Sequence, residues 1–259
     1  MSIERKHAIC CLSVVPVRKS PSDTSEMVTQ LIFGDLCNVI GVTEDNKWLN
    51  IRIEFDGYEG WVDPKQIQLL EEVDYLRYLT ESPNYLLEGP VRVVFKNHFT
   101  HLSLGSYLPK YEKGHFDVKN TRTEIVAEVG VVKKTDIIPI ADMFLGVPYL
   151  WGGKSQFGID CSGLVQLVYK VCGKNLPRDA YQQAECGSDV SFKDLKSGDL
   201  AFFQNDEGKI IHVGIVMEFN NIIHAHGKVR IDLLDEKGIF NTNKKYYSHQ
   251  FAFAKRIFS

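Results

Sequence analysis

The chain has 259 residues, 44% of them hydrophobic and 24% charged, with a formal net charge of −3. That is ordinary globular composition, enough for one large domain or two to three small ones. A slightly acidic chain with no Lys/Arg block carries no footprint for nucleic acid, and no apolar run reaches membrane-spanning length.

The opening MSIERKHAICCLSVVPVRKS has a basic start followed by an apolar stretch, Ala8–Val17, as a secretory leader would. The stretch is short, Ser13 and Pro16 break it, and no small-residue cleavage signal follows. A first β-strand explains it better, and the expected setting is cytoplasmic, with export the lesser alternative. Residues 7–63 read as all-β: AICCLSVVPV, QLIFGDLCNVIGV, KWLNIRI and YEGWV are separated by turn signals at Pro21–Asp23, Glu44–Lys47 and Asp56–Gly57. A unit of this size suggests a small barrel, with Trp48 and Trp61 in its core.

Asp63–Pro64 then opens a helical pattern, since Pro64 suits a first helical position. Ile67, Leu70, Val73, Leu76 and Leu79 recur at three-residue steps on one drifting face, and SPN at 82–84 ends it. Residues 90–132 return to short strands, VRVVF, HLSLGSYLP, FDVKN and TEIVAEVGVV, which suggest a second small barrel. A different pattern begins near Thr135. IIPIADMFLGV is a short helix, PYLWGGKSQFGID a Gly-rich loop, and CSGLVQLVYKVCGK a helix with Leu164, Val168, Val171 and Cys172 on one side and Gly173 as its stop. LPRDAYQQA reads as another short helix. Four strands follow SGD at 197–199: LAFF, IIHVGIVM, NIIHAH and KVRIDLL. Helices followed by an antiparallel meander give an α+β fold.

The six cysteines, 10, 11, 37, 161, 172 and 186, form no CxxC pair and no zinc spacing, and read as reduced thiols. Cys161 stands apart. It lies in the first turn of its predicted helix with Asp160 as N-cap, where unpaired N–H groups and the helix dipole favour a thiolate and can receive an oxyanion. A buried inert thiol is the competing account. In IIHVGIV, His212 and Gly214 share one strand face, opposite Ile211, Val213 and Ile215. His224 lies on the next strand. A cysteine nucleophile needs a base, and the base needs a group that fixes its tautomer. For His212 and His224 to lie directly opposite each other, the hairpin would centre on residue 218, whereas the turn signal is Asn220–Asn221. His226, on the same face as His224, competes for the third place. A metal on these residues is not expected, because no second sulfur or carboxylate sits at ligand spacing.

Six blocks, PYLWGG, GIDCSGLVQ, LPRDAYQQ, GDLAFF, HVGIV and IIHA, closely resemble in order and spacing the NlpC-type cysteine peptidases, papain-like enzymes that cut peptidoglycan peptides. LSVVPVRKSPSDTSEMVTQLIFGD, KWLNI and YEGWV are similar to bacterial SH3-like domains. The combination resembles the γ-D-glutamyl-L-diamino acid endopeptidases, or dipeptidyl-peptidase VI, and implies three parts: residues 1–66 and 67–133 as SH3-like domains, the second behind a helical linker, and 134–259 as the papain-like catalytic domain. The resemblance implies Cys161 as nucleophile, His212 as base and His224 as its orienter. It further implies Tyr149 as an oxyanion donor, and Asp160 and Ser162 as contacts to the D-glutamyl part of the substrate. The usual residue after the motif His-Ala is small, so His226 is a departure.

In the resembling enzymes the first SH3-like domain holds the free N-terminal amine of the substrate. A carboxylate and a phenol suit an ammonium group, and Glu26 and Tyr58 are the candidates. Trp151 belongs either to a core or to a cleft wall. The implied substrate is a murein peptide, L-Ala-γ-D-Glu-diamino acid, cut without any cofactor; a monomer is favoured. The alternatives are a non-catalytic protein that binds murein peptides and a papain-like acyltransferase.

Overall fold

Apolar residues at every second position build the N-terminal part. The computed structural model describes residues 6–258; the basic start at residues 1–5 lies outside the described residues. The chain divides into two compact units, one from residues up to Val131 plus Trp151–Gln156, the other from Val132–Leu150 plus the residues from Phe157 onward.

In the first unit, β1 (Lys6–Ile9), β2 (Val14–Arg18), β3 (Met27–Ile32), β4 (Leu36–Val42), β5 (Leu49–Ile53), β6 (Glu59–Val62) and β7 (Gln68–Leu70) form one antiparallel sheet in the order β3-β2-β6-β5-β4-β1-β7. Val15, Val17, Leu31, Ile51, Ile53 and Val62 turn inward and are fully buried. Pro16 is tolerated inside β2 because that strand pairs with β6 only at Arg18–Trp61. Aliphatic residues fill this core. Trp48 and Trp61, expected there, are half-buried at its margin.

The helix expected from Pro64 starts later. Pro64–Gln66 is one 3-10 turn, β7 follows and pairs with β1, and α1 runs over Glu72–Thr80. Its buried residues are Tyr75 and Tyr78, while Val73, Leu76 and Leu79 face outward. A step of three falls short of the 3.6-residue turn, so the apolar set slides off the packed face.

The second barrel expected over 67–133 does not form as one sheet. β8 (Tyr85–Leu86) pairs with β13 (Val129–Gly130), β9 (Val91–Phe95) with β10 (His98–Leu102), and β11 (His115–Val118) with β12 (Thr121–Glu124). The last two are hairpins whose tips, Lys96–Asn97 and Lys119–Asn120, adopt positive φ as tight turns require. Phe95 and Phe116 meet Phe33 edge-on, with centroids 5.3 and 5.6 Å away. The hairpins thus bury these aromatics on Phe33, in the turn between β3 and β4, and do not join into a barrel of their own. The short strand β14 (Lys154–Ser155) belongs to this unit and packs on β3.

The second unit contains α2 (Ile137–Asp142), β15 (Gly158–Ile159), α3 (Cys161–Val171) and α4 (Ala180–Gln183). Its sheet follows: β16 (Ser188–Val190), β17 (Leu200–Gln204), β18 (Ile210–Met217), β19 (Asn221–His226), β20 (Lys228–Asp235), β21 (Gly238–Asn241) and β22 (Tyr246–Arg256). The order is β16-β22-β17-β18-β19-β20-β21, and β21 also pairs with β22, so six strands close on themselves. Every residue of α3 is buried. It is the central helix, packed on β18 and β19. Gly173 at φ +77° ends it. Among the described residues no helix is long and apolar enough to cross a membrane.

Candidate active site

Asp160 caps α3 as its sequence position predicts, its Oδ1 accepting from the Gly163 N–H at 2.7 Å. This fixes Cys161 as the first helical residue. The Val213 N–H of β18 hydrogen-bonds to the Cys161 sulfur, which brings the thiol beside the strand that carries His212. The helix terminus favours a thiolate, as expected from sequence, and this N–H and Arg178 act in the same sense. Burial acts more strongly in the opposite sense and pushes the thiol up to about 12.

β18 pairs Ile215 with Ile223 and Met217 with Asn221. The tip residues Phe219 and Asn220 both have positive φ. Carried one pair further, this register sets Gly214 beside His224, so His212 and His224 are diagonal neighbours on one face. No direct pairing and no hairpin centred on residue 218 is needed. A methyl on Gly214 would come within 2.7 Å of Ile222 and 3.0 Å of the His224 Cβ, so the missing side chain is what lets His224 lean toward His212. His212 Nε2 and His224 Nδ1 are 2.9 Å apart. His224 Nε2 lies 3.1 Å from Asp232 Oδ2, and Arg230 Nη2 donates to Asp232 Oδ1 at 2.7 Å. Asp232, which the sequence reading passed over, reaches His224 because β19 and β20 pair Ile222 with Asp232.

The tautomers follow from this chain. Asp232 is held below the usual carboxylate range by His224 and Arg230 against the opposing effect of burial, and it accepts only. The buried His224 is pushed toward its neutral form. It therefore donates from Nε2 and accepts at Nδ1. His212, held neutral by burial and by its histidine neighbours, donates from Nε2 and keeps a lone pair on Nδ1.

Other expected residues gather near the sulfur. Tyr149 is tied by its backbone N–H to Gly227 at 3.0 Å. Its phenol is pushed up to about 12, first by burial and then by Cys161 and Asp160, so it stays a donor. Ser162 and Asp160 flank the thiol, and both bind a residue missed in LPRDAYQQ. Buried Arg178 donates to Asp160 Oδ1 at 2.9 Å, to Asp160 Oδ2 at 2.6 Å and to Ser162 Oγ at 2.9 Å. An arginine beside a proline gave no spacing signal. His226 packs alongside His224 at 6.1 Å between centroids, and its buried Nδ1 has no hydrogen-bond partner among the described residues. It does not bond His212; His224 does.

His249, also unforeseen, stacks on His212 with centroids 4.0 Å apart and planes 18° apart. Nitrogens of His212, His224 and His249 lie within 4.8 Å of one another. Within that cluster His212 Nε2 and His224 Nδ1 are engaged with each other and His224 Nε2 with Asp232, so His224 keeps no nitrogen for an ion.

Two expected residues lie in the first unit. Glu26 is exposed; its Oε1 accepts from Trp151 Nε1 at 2.9 Å, and Lys19 Nζ stands 3.3 Å from Oε2. These donors hold its carboxyl below the usual range. Tyr58 is half-buried against the barrel core. Trp151 is 63% exposed, so it is no core residue.

Residues 146–252 match the NlpC/P60 family, and residues 17–67 match the bacterial dipeptidyl-peptidase SH3 domain. One SH3-type domain is thus supported, where the sequence suggested two. The gamma-D-glutamyl-L-lysine dipeptidyl-peptidase of Bacillus subtilis strain 168 is 32% identical over 219 residues, which span 76% of this chain and 71% of that one. A murein DD-endopeptidase/murein LD-carboxypeptidase of Escherichia coli is 36% identical over 116 residues, 44% of this chain and 57% of that one. The crystal structure of an NlpC/P60 family protein from Bacillus cereus shares the fold, with a TM-score of 0.83 at 21% identity, covering 98% of this chain and all of that one. Domain matches and a relative aligned over most of both chains agree: the chain belongs to the NlpC/P60 family, a cysteine peptidase with a bacterial SH3-type domain ahead of its catalytic domain.

Proposed function

We propose that this cell-wall peptidase hydrolyses the γ-D-Glu–diamino acid bond of short murein peptides that carry a free N-terminal L-Ala. The observation that carries the chemistry is the one-way chain from Asp232 through His224 to His212, which leaves a basic nitrogen on His212 at the strand beside Cys161. Support for the substrate comes from the Bacillus subtilis relative, named for a γ-D-glutamyl-L-lysine bond.

Burial disfavours both the thiolate and the imidazolium, so the resting pair is neutral. In this reading His212 Nδ1 takes the thiol proton as sulfur attacks the D-Glu side-chain carbonyl. The oxyanion is received by the Cys161 N–H and the Tyr149 hydroxyl. His212 then protonates the leaving amine, and water activated by the same nitrogen releases the acyl group. Ser162 and Asp160, fixed by Arg178, are proposed to border the D-glutamyl part. Glu26 is proposed for the ammonium of L-Ala, with its Trp151 partner only two residues along the chain from Tyr149. Tyr58, whose ring packs on the barrel core, offers at most its hydroxyl.

Incubation with L-Ala-γ-D-Glu-L-Lys, or its diaminopimelate counterpart, should yield L-Ala-γ-D-Glu. Acetylating the substrate amine should abolish the cut, as should Cys161→Ala. Intact substrate under reducing conditions sinks the proposal in favour of a binding protein. Acyl transfer to an added amine, in place of hydrolysis, identifies an acyltransferase.

A further inference from the structure

We propose that His249 is a positioning residue: it holds the plane of the His212 ring so that the free nitrogen stays aimed at the nucleophile. The proposal rests on the reading of His212 as the base. A hydrogen bond at Nε2 fixes one atom of His212 but leaves the ring free to rock about it. The stack of His249 on one face, at 4.0 Å and 18°, removes that freedom, while His224 meets His212 edge-on at 5.1 Å.

The backbone around His249 is built for this placement. On β22 the register with β21 slips between Ile239 and Phe240, leaving Ser248 over. The register with β17 slips between Phe202 and Phe203, leaving Ala252 over. His249 thus stands between two bulges, the device by which a strand re-aims a side chain. Gly238, at φ +145°, passes against the His249 carbonyl, where a Cβ would stand 1.8 Å from the oxygen. The ring itself is anchored by Ser248 Oγ, 2.9 Å from His249 Nδ1. Phe203 closes the cluster, 5.8 Å from His212 and 5.9 Å from His249. Burial pushes His249 down to about 3, so the stacked ring adds no charge beside the base.

A planar ring is required and its nitrogens are not, so His249→Phe and His249→Leu separate positioning from space-filling. In the full chain, leucine should lower kcat about tenfold with KM little changed, since small misplacements of a reacting group are costly. It should slow iodoacetamide alkylation of Cys161 by a similar factor. Phenylalanine should restore both to within about threefold of the parent. Equal rates for the two variants, whether both high or both low, overturn the proposal. The alkylation arm decides even if no murein peptide is cut, so failure of the substrate reading is distinguishable. Should the leucine variant not fold, Ser248→Ala loosens the ring without removing it; an unchanged alkylation rate there is the overturning result.

Discussion

Asp232 gives the relay its direction, and that makes its amide variant informative. In Asp232→Asn the oxygen is claimed by Arg230, which can only donate. The NH2 is then left facing His224 Nε2. His224 must turn into the tautomer that donates from Nδ1, and His212 is left protonated on the nitrogen needed as base. We expect kcat to fall about 10²–10⁴-fold with KM little changed; a fall in KM-limited binding alone would contradict this. The pH profile tests the same residues. A base held below its ordinary 6.5 by burial stays neutral as pH falls, so the acid limb of kcat/KM should lie below pH 6.5. A limb at or above 6.5 would mean that His212 is solvated in the working enzyme. Cys161, His212 and His224 were legible because the blocks that carry them resemble a known family, which implies a nucleophile, a base and an orienter; their spacing alone left His224 and His226 in competition. Asp232, Arg178 and His249 were not legible, because each reaches the site through pairing or packing that no local pattern announces. The thiolate expected at the helix terminus was misjudged for a related reason: the dipole is a local property, but burial is not.

Among the elements, the β18–β19 hairpin carries the most. Its three-residue loop with two left-handed residues sets a register that makes His212 and His224 diagonal neighbours, and Gly214 clears the path between them. Gly214→Ala should therefore lower stability by about 1–3 kcal/mol through overpacking against Ile222, and lower kcat further by pushing His224 away. Thermal unfolding and kinetics read the two effects separately; a fully active Gly214→Ala would remove the hairpin argument. The strands themselves were legible from alternation and turn residues. The helix from Pro64 and the second barrel were not. α1 buries two tyrosines through ring contacts that a count of aliphatic residues overlooks. The hairpins of 91–124 reuse Phe33, a residue 58 positions before Val91 in the chain, as their core.

For the whole molecule, the chain path matters more than the number of domains. Residues Trp151–Gln156 lie inside the stretch that matches the peptidase family, yet they belong to the first compact unit. There Lys154, 1% exposed, pairs with buried Asp35 at 3.0 Å, and Gln30 Oε1 accepts from the Lys154 N–H and the Ser155 hydroxyl. Gly152 at φ +74° passes so near Met27 that a Cβ would sit 2.3 Å from its carbonyl oxygen. A buried ion pair broken by loss of one partner costs about 3–5 kcal/mol, so this strap is not given up lightly. Domain boundaries read along the sequence, at 66 and 133, had no means of showing a loop that leaves one unit and returns. The strap makes the enzyme a poor module for shuffling. A protease cut between Val131 and Val132 should leave two fragments that elute together under native conditions, since the second still threads the first. Genes that exchange peptidase domains among different wall-binding partners would have to exchange this loop's receptor as well.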